Sequence, residues 1–326
     1  MSSRALLAGA VAVAMAFAAA PVALAQARDN TVSNNQRNWA QTRAQLNADI
    51  QSVSEDVVVT TAALGNSFSA SLGGWSTVTN TQNVTAPVTA NMTVNAQDAF
   101  GSLTATAAAI GNSAAVTIDE ARGVNPLNRG SVVNNNQWFN NVEGARANLT
   151  LTGGNVSSGN PELGIDATAA AIANSLSVDV KGDLTSDNLQ RFWGDAQSNL
   201  TVTMNDVTGA SNLTSAAIAN SATYNMGNSG RVAINNRQWA HYDPTAVSNI
   251  RLNDITGDVT STTAAISNSL SVTTLPSQAT VSLTSDQQNG AGNFATADLD
   301  IGDVVGNVTA TAAAIGNSVT ISNLPQ

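Results

Sequence analysis

The carboxyl-terminal stretch Thr309–Ser322, TATAAAIGNSVTIS, decides the fold, because close variants of it occur six times in the chain. Every copy has two alanines, an aliphatic residue, a small residue and then an Asn-Ser pair. Successive copies are separated by 46 to 62 residues, a spacing that indicates a repeat architecture rather than one globular core. The six anchoring asparagines are Asn66, Asn112, Asn174, Asn220, Asn268 and Asn317.

A glutamine precedes each asparagine and belongs to an alternating pattern. Three copies read Val-x-Asn-x-Gln, as in Val32–Gln36, and a period of two residues predicts a β-strand. The glutamine stands 30 residues before the asparagine in five copies, and 37 before it in the third, where the polar segment 152–164 is inserted. A second insertion, 119–130, precedes that copy. The six glutamines are Gln36, Gln82, Gln137, Gln190, Gln238 and Gln287.

Each unit of about 48 residues is interpreted as four short strands. Turn signals of the form Asp-x-x-Gly, as at Asp206–Gly209, follow the second strand in four copies, and the alanine run forms the third strand. A helix is the alternative for the alanine runs, but threonine and valine flank them and no apolar stripe of 3.6-residue period continues through them. The sequence therefore predicts an all-β fold, a β-solenoid of six repeats with about two coils in each repeat.

Stacking predicts what the repeated amides do. Equivalent residues of stacked coils lie ~4.8 Å apart, so the side-chain amides of the asparagines and of the glutamines can bond one another in ladders along the solenoid axis. A buried amide without a partner costs about 1–3 kcal/mol, which is why a ladder needs every copy to be filled. An ordinary Asn-Ser turn is the alternative, although a turn would not fix the 30-residue distance to the glutamine.

The amino terminus predicts export. Arg4 precedes an apolar stretch that ends in a small-x-small cleavage site at Ala25, so residues 1–25 are predicted to be a signal peptide. An uncleaved membrane anchor is the alternative, but the apolar run is short for a bilayer span. Residues 26–326 then form a single β-solenoid repeat domain with longer loops at the two insertions. The chain has no cysteine, so this exported domain gains no disulfides.

Composition argues against nucleic-acid binding and against catalysis. The chain has 12 Lys and Arg against 22 Asp and Glu, a formal net charge of −10, whereas phosphate binding needs clustered basic residues. One histidine, His241, and no cysteine leave neither a metal-ligand set nor a nucleophile pair, so no catalytic residue, metal site or cofactor is predicted. His241 lies in QWAHYDP, before an Asp-Pro pair, and is predicted to be a surface loop residue.

Two alternatives would use the aspartates. Calcium could bind at the turns, where Asp254, Asp258, Asp300 and Asp303 offer oxygen ligands, but the nonapeptide pattern of calcium-binding solenoids is absent. A carbohydrate-active enzyme, a polysaccharide lyase or hydrolase on a parallel β-helix, would need grouped carboxylates. The aspartates instead recur once per repeat at a turn, which favours a structural role.

The tryptophans give a candidate binding site. Trp39, Trp138, Trp193 and Trp239 follow ladder glutamines by one to three residues, and arginines accompany three of them. Stacked repeats would align these side chains along one edge. Indole faces beside amide or guanidinium donors suit sugar rings, so these four tryptophans are the predicted polysaccharide-binding residues. The alternative is that each indole packs over a coil corner and shields the core.

Two families resemble this pattern. The strands on either side of Gly316-Asn317 resemble the strand–arch–strand unit of curlin, the bacterial amyloid adhesin subunit, and the Asn-x-Gln strands resemble its ladder positions. The repeat here is about twice as long and has long loops in the third copy, so the resemblance leaves self-polymerisation open. The residue usage also resembles that of secreted holdfast-anchor proteins of stalked alphaproteobacteria, which fix a polysaccharide adhesin to the envelope.

The resemblance implies a secreted, non-enzymatic protein of cell adhesion and biofilm formation. Such a chain would anchor an extracellular polysaccharide adhesin or assemble into curli-like, amyloid-like fibres. The implied partners are extracellular polysaccharide or other surface-attachment proteins, further copies of the chain, and an outer-membrane secretion pore. The implied location is the outer-membrane surface or the extracellular space.

Overall fold

The computed structural model describes residues 30–119, 130–157, 164–227, 231–274, 280–290 and 292–323. These residues form eighteen β-strands in three parallel sheets of six strands each, so the predicted all-β solenoid is confirmed. The described part of the chain contains no helix long and apolar enough to cross a membrane. The predicted signal peptide, 1–25, lies outside the described residues.

Each repeat adds one strand to each sheet. Sheet A holds the glutamine strands, β1 Asn30–Asn38, β4 Ser76–Val84, β7 Ser131–Asn140, β10 Leu184–Trp193, β13 Arg231–Ala240 and β16 Thr280–Asn289. Sheet B holds β2 Thr42–Val53, β5 Val88–Ala99, β8 Ala145–Ser157, β11 Ala196–Thr208, β14 Pro244–Thr256 and β17 Phe294–Val305. Sheet C holds the Asn-Ser strands, β3 Val57–Gly73, β6 Leu103–Asp119, β9 Ile165–Lys181, β12 Ser211–Gly227, β15 Val259–Thr274 and β18 Val308–Asn323.

One repeat makes one coil, so the prediction of two coils per repeat is wrong. Equivalent residues of successive repeats pair directly, as Gln82 does with Gln137 and Gln137 with Gln190. The predicted third and fourth strands are a single strand of 16 or 17 residues in sheet C. The chain therefore forms six coils, one to six in chain order, and each coil has three long sides.

The strand of sheet C bends at the Gly-Asn position without ending. In β6 the residues that face the interior are odd-numbered up to Gly111 and even-numbered from Asn112 on. The pairing of β6 with β9 omits Gly111 and resumes at Asn112. A one-residue irregularity of this kind bends a strand while the sheet stays continuous. An arch between two short strands and a bend within one long strand have the same sequence signature, and only the bend gives one coil per repeat.

The alanines fill the middle of the interior, where the junction of sheets A and B faces the centre of sheet C. Ala109 and Ala171 are buried there against Ala147 and the rings of Phe139 and Phe192. Longer aliphatic side chains fill the two flanking parts of the core, where sheet B faces the first half of sheet C and sheet A faces its second half. The prediction that the alanine runs are strands rather than helices is confirmed.

Left-handed residues end the strands of sheet B. The pairing of β5 with β8 omits Asp98, which lies one residue before the end of β5. Aspartate and asparagine tolerate this conformation because their short polar side chains can bond locally. The aspartate thus bends the strand, and the turn follows it at the glycine of the Asp-x-x-Gly signal. The left-handed positions are Ser52, Asp98, Asn155, Asp206, Asp254 and Asp303, with φ between 48° and 56°.

The insertions of the third copy leave the strand pairing intact. Residues 152–157 belong to β8, while 158–163 and 120–129 lie outside the described residues. On both sides of these segments β7, β8 and β9 keep the register of their neighbours.

Amide side chains connect the coils in three ladders. In sheet C each anchoring asparagine donates from Nδ2 to the Oδ1 of the next, over 2.7 to 2.9 Å, from Asn66 to Asn317. In sheet A each glutamine donates from Nε2 to the Oε1 of the preceding one, over 2.7 to 2.9 Å, from Gln287 to Gln36. A third ladder in sheet A joins Asn34, Asn80, Asn135, Asn188 and Asn236 over 2.7 Å.

The ladders also hold sheet A to sheet C. Each glutamine donates a second hydrogen bond to the carbonyl oxygen of the serine that follows an anchoring asparagine, as Gln190 does to Ser221 over 2.9 Å. Asn174 likewise donates to the carbonyl oxygen of Arg191, across the interior, over 2.9 Å. Because both hydrogens of the interior amides of the sheet C and glutamine ladders are bonded, as in Asn174 and Gln190, the rotamers of these side chains are fixed and the two sheets keep one spacing.

Candidate functional site

The outer face of sheet A carries a cluster of aromatic and basic side chains near the corner with sheet B. Side chains alternate between the two faces of a strand. In the strands of sheet A the ladder amides face the core, so the residues between them face outward. The strand register places Trp138, Arg191 and Trp239 in one column across coils three, four and five. The cluster, here called the aromatic platform, consists of Trp138, Arg191, Trp193, Trp239, His241 and Tyr242.

An arginine lies between two indoles in that column. The Cζ atom of Arg191 is 5.1 Å from the ring centroid of Trp138, a cation–π distance. Trp239 is the register partner of Arg191 on the opposite side. Arg191 therefore occupies the register position between the two tryptophans, and the column has an aromatic, a cationic and a second aromatic residue at the spacing of the strands.

A second group of rings adjoins the column at the end of the strands. The ring centroids of Trp193 and His241 are 4.8 Å apart, and those of Trp193 and Tyr242 are 5.7 Å apart in an edge-on arrangement. Trp193 is 44% exposed, Tyr242 38% and Trp138 36%, although all are large and partly apolar. His241 is exposed, as predicted, and its contact with Trp193 gives it a place in the platform.

The structure separates Trp39 from the other three predicted residues. Trp39 follows β1 in coil one and is 72% exposed, more than Trp193 or Trp138. Coils two and three lie between it and Trp193, and coil two has a short polar side chain, Thr85, at the corresponding corner. Three of the four predicted tryptophans therefore share one surface, and Trp39 stands alone.

The platform rests on fixed backbone. Asparagines of the sheet C ladder donate to the backbone carbonyl oxygens of two platform tryptophans. Asn112 donates to Trp138 over 3.0 Å, and Asn220 donates to Trp239 over 3.1 Å. Directly inside, the fully buried rings of Phe139 and Phe192 pack with centroids 5.8 Å apart. The outward side chains thus sit on a strand that is braced from within, which limits the ordering entropy that binding would cost.

Polar groups border the rings. Arg237 makes a forked ion pair with Asp187, at 3.0 and 3.3 Å, and both side chains are partly exposed. The indole Nε1 of Trp239 and the Nε of Arg191 are buried and have no hydrogen-bond partner among the described residues. Exposed ring faces beside the partly exposed guanidinium of Arg237 and carboxylate of Asp187 are the chemistry that recognises a sugar ring and its hydroxyl groups.

Asp195 lies at the corner beside the platform and has a perturbed pKa. Burial raises the pKa of this carboxyl, Arg146 acts to lower it, and the Asp243 carboxylate of the next coil raises it further. The loop residues Asp195 and Asp243 precede the paired strand starts Ala196 and Pro244, so they occupy neighbouring coils. These two carboxylates and Tyr242 were not predicted from the sequence; the signal for the tyrosine was its place in the QWAHYDP segment.

The other aspartates are spread along the solenoid. Asp254 and Asp303 occupy the same left-handed position in coils five and six, and Asp300 lies on the outer face of β17 beside Arg251. The Oδ1 of Asp258 accepts hydrogen bonds from the backbone and side-chain nitrogens of Asn307, at 2.9 and 3.1 Å. Among the described residues, no group of three or more His, Cys, Asp or Glu side chains is arranged to hold a metal ion.

Comparison with known proteins identifies the family of the chain. No curated protein and no solved structure matches the chain. A family model described as holdfast attachment protein D, HfaD, matches residues 51–125 and 123–325. The matched residues extend from the end of β2 to the end of β18 and cover most of the chain. The chain therefore belongs to the holdfast attachment protein D family.

Proposed function

We propose that this chain holds the holdfast polysaccharide at the outer-membrane surface, and that the aromatic platform is the surface that binds it. Membership of the family gives the chain a structural role in holdfast adhesion at the cell surface. The observation that carries the finer proposal is the platform itself, in which three tryptophans, a tyrosine, a histidine and an arginine share one face of a chain with only 4% aromatic residues.

Repetition suits this role better than a single pocket would. One indole stacked on one sugar ring contributes little, but a polymer of like sugars can contact several rings at once. Each contact raises the effective concentration of the next sugar at the next ring, so the affinity of the array exceeds that of any one contact. A rigid solenoid keeps the distances between these contacts constant.

Export belongs to the same proposal. A chain that acts outside the cell must leave the cytoplasm, and the predicted signal peptide followed by an outer-membrane secretion pore would provide the route. The solenoid would then fold outside the cell, because the folded coils are too wide for a narrow pore. The strand pairing and the amide ladders would form there.

The test is a triple substitution with a matched control. Trp138→Ala, Trp193→Ala and Trp239→Ala together should weaken binding of the purified chain to isolated holdfast polysaccharide by at least ~10-fold more than any of the three single changes, because the contacts act jointly. Trp39→Ala, which removes an exposed indole outside the platform, is the control and should bind like the unchanged chain.

The same variants should be expressed in a strain that lacks the chromosomal copy. Cells with the triple variant should shed their holdfast under flow, and cells with Trp39→Ala should keep it. Circular dichroism and export of every variant must match those of the unchanged chain. A folded, exported triple variant that binds polysaccharide and retains the holdfast normally would show that the indoles only shield a coil corner.

A further inference from the structure

The aromatic platform holds one permanent charge, the guanidinium of Arg191, and the neighbours of this group on the surface are apolar. A guanidinium stays charged at every physiological pH. Strand pairing places Trp138 and Trp239 beside Arg191 in coils three and five. The two-residue period of β10 places Leu189 and Trp193 on the same outward side of the strand. The cation therefore lies within a frame of three indoles and one leucine.

No carboxylate of the described residues neutralises Arg191. Its guanidinium contacts the Trp138 ring, its Nε is enclosed without a hydrogen-bond partner, and its terminal nitrogens bond no described residue. The chain has 22 Asp and Glu against 12 Lys and Arg, so carboxylates are abundant, and yet none of the described ones pairs with this group. The positive charge is therefore left available to a ligand.

Two carboxylates near the platform are directed to other basic groups. Asp187 accepts two hydrogen bonds from Arg237, at 3.0 and 3.3 Å, and one from Asn235 at 3.3 Å. Asp195 lies at the corner with sheet B, where the guanidinium of Arg146 acts to lower its pKa against the effect of burial. Neither carboxylate is arranged to serve as the counter-charge of the platform cation.

A carboxylate on a sugar ring would satisfy this arrangement. The N–H groups of a guanidinium form a flat fork that matches the two oxygens of a carboxylate, and the attraction is stronger where apolar side chains keep water away. Trp193, which is 44% exposed, lies two residues from Arg191, a distance of about 6.7 Å along a strand. One sugar ring with a carboxylate substituent can span that distance and contact both side chains.

We propose that the platform selects a polysaccharide whose sugars carry carboxylates, as uronic acids do, and that Arg191 binds the carboxylate while Trp193 contacts the ring. This inference rests on the proposed function, because it names the class of polymer that the same surface binds. A neutral polymer would leave the guanidinium without a counter-charge. A polymer of protonated amino sugars would bring a second cation next to it.

Three oligosaccharides of equal length and one backbone test the preference. All have β-1,4-linked glucose-type rings: one is neutral, one carries a carboxylate at C6, and one carries an amine at C2. By calorimetry the purified chain should bind the carboxylated form about 10-fold more tightly than the neutral form, the effect of one hydrogen-bonded charge. The amine form should bind more weakly than the neutral form. Because the formal net charge of −10 repels an anionic ligand, this preference would have to come from the local contact.

Substitutions of one arginine assign the preference to a residue. Arg191→Gln removes the charge and keeps an amide, so it should bind the neutral and carboxylated forms equally. Arg191→Lys keeps the charge without the fork and should show an intermediate preference. The matched control is Arg251→Gln, which makes the same change of net charge at an exposed position of β14 and should keep the full preference. Circular dichroism must show equal folding, and Arg191→Lys is the second variant in case Arg191→Gln is unstable.

The natural polymer gives the last comparison. Carboxylates of isolated holdfast polysaccharide can be reduced to alcohols after carbodiimide activation, and the reduced polymer should bind the unchanged chain no better than the untreated polymer binds Arg191→Gln.

Three results would each overturn the carboxylate assignment: equal binding of the neutral and carboxylated forms, tighter binding of the amine form, or the same preference in Arg191→Gln as in Arg251→Gln. The triple tryptophan variant separates this inference from the proposed function. If that variant loses the polysaccharide but carboxylate reduction has no effect, only the carboxylate assignment fails. If that variant binds the polysaccharide normally, the platform itself is refuted as the binding surface.

Discussion

Removal of one asparagine from the middle of the sheet C ladder should cost far more stability than removal of the last one. The Oδ1 of Asn174 accepts from Asn112 over 2.9 Å, and its Nδ2 donates to Asn220 over 2.8 Å and to the carbonyl oxygen of Arg191 over 2.9 Å. Asn174→Ala therefore leaves one donor and two acceptors without partners, and Asn174 itself is fully buried. At about 1–3 kcal/mol for a buried orphaned group, and with some relaxation, the expected loss is about 3–5 kcal/mol.

Asn317→Ala is the matched comparison. Asn317 accepts one bond from Asn268 and donates one to Gln287, at the exposed end of the ladder where water can replace both. The expected loss is about 1 kcal/mol or less. Asn174→Asp adds a second comparison, since it keeps the side-chain shape and the acceptor but removes both N–H donors.

Urea unfolding followed by circular dichroism measures these losses. Repeat proteins can unfold in parts, so the slope of each transition must equal that of the unchanged chain before the midpoints are compared. Equal losses for Asn174→Ala and Asn317→Ala, or a negligible loss for Asn174→Ala, would refute the reasoning that the ladder stabilises the interior by keeping every amide paired.

Two further changes test the corner carboxylate and the bend. Burial, opposed by Arg146 and reinforced by Asp243, gives Asp195 a folded-state pKa above its unfolded value of ~3.9, so the unchanged chain should lose stability as pH rises from ~4 through that raised pKa. Asp195→Asn should remove this part of the pH dependence and be the more stable form at pH 7 in thermal melts; a steeper slope in the variant would contradict the pKa direction. Gly111→Ala places a Cβ against the Phe139 ring and should destabilise by about 1–3 kcal/mol in urea, with partial recovery on adding Phe139→Leu; a neutral Gly111→Ala would show that the ring can move aside.

Repetition made the register of this fold readable from sequence. Asn66 and Asn112 are surrounded by the same residues in the same order, and a period-two pattern places Gln36 and Gln82 on the same face of their strands. The 30-residue offset between the glutamine and the asparagine in five of the six copies requires that like residues stack, whatever the cross-section of the coil. The pairing of Gln137 across an insertion follows from the same reasoning, because a loop at a corner does not alter the strands beside it.

The cross-section itself could not be predicted in this way. A change of the inward face between Gly111 and Asn112 has the sequence of a turn, and nothing local distinguishes a strand that bends from one that folds back. The decision rests on contacts across the interior, where Asn112 reaches the carbonyl oxygen of Trp138. The grouping of Trp193 with His241 likewise depends on which coils are neighbours. The sequence predicted one edge for all four tryptophans, whereas Trp39 lies in coil one, apart from the other three.

Because one repeat forms one coil, the number of repeats in the gene sets the length of the solenoid. A duplication or deletion of one whole repeat in the DNA would lengthen or shorten the solenoid by one coil, about 4.8 Å. Every remaining coil would still pair with a neighbouring coil. The strands on either side of such an event already match in register, as β6 and β9 do across the longest interval in the array. Unequal recombination between repeats could therefore change the length of the solenoid while each resulting variant still folds.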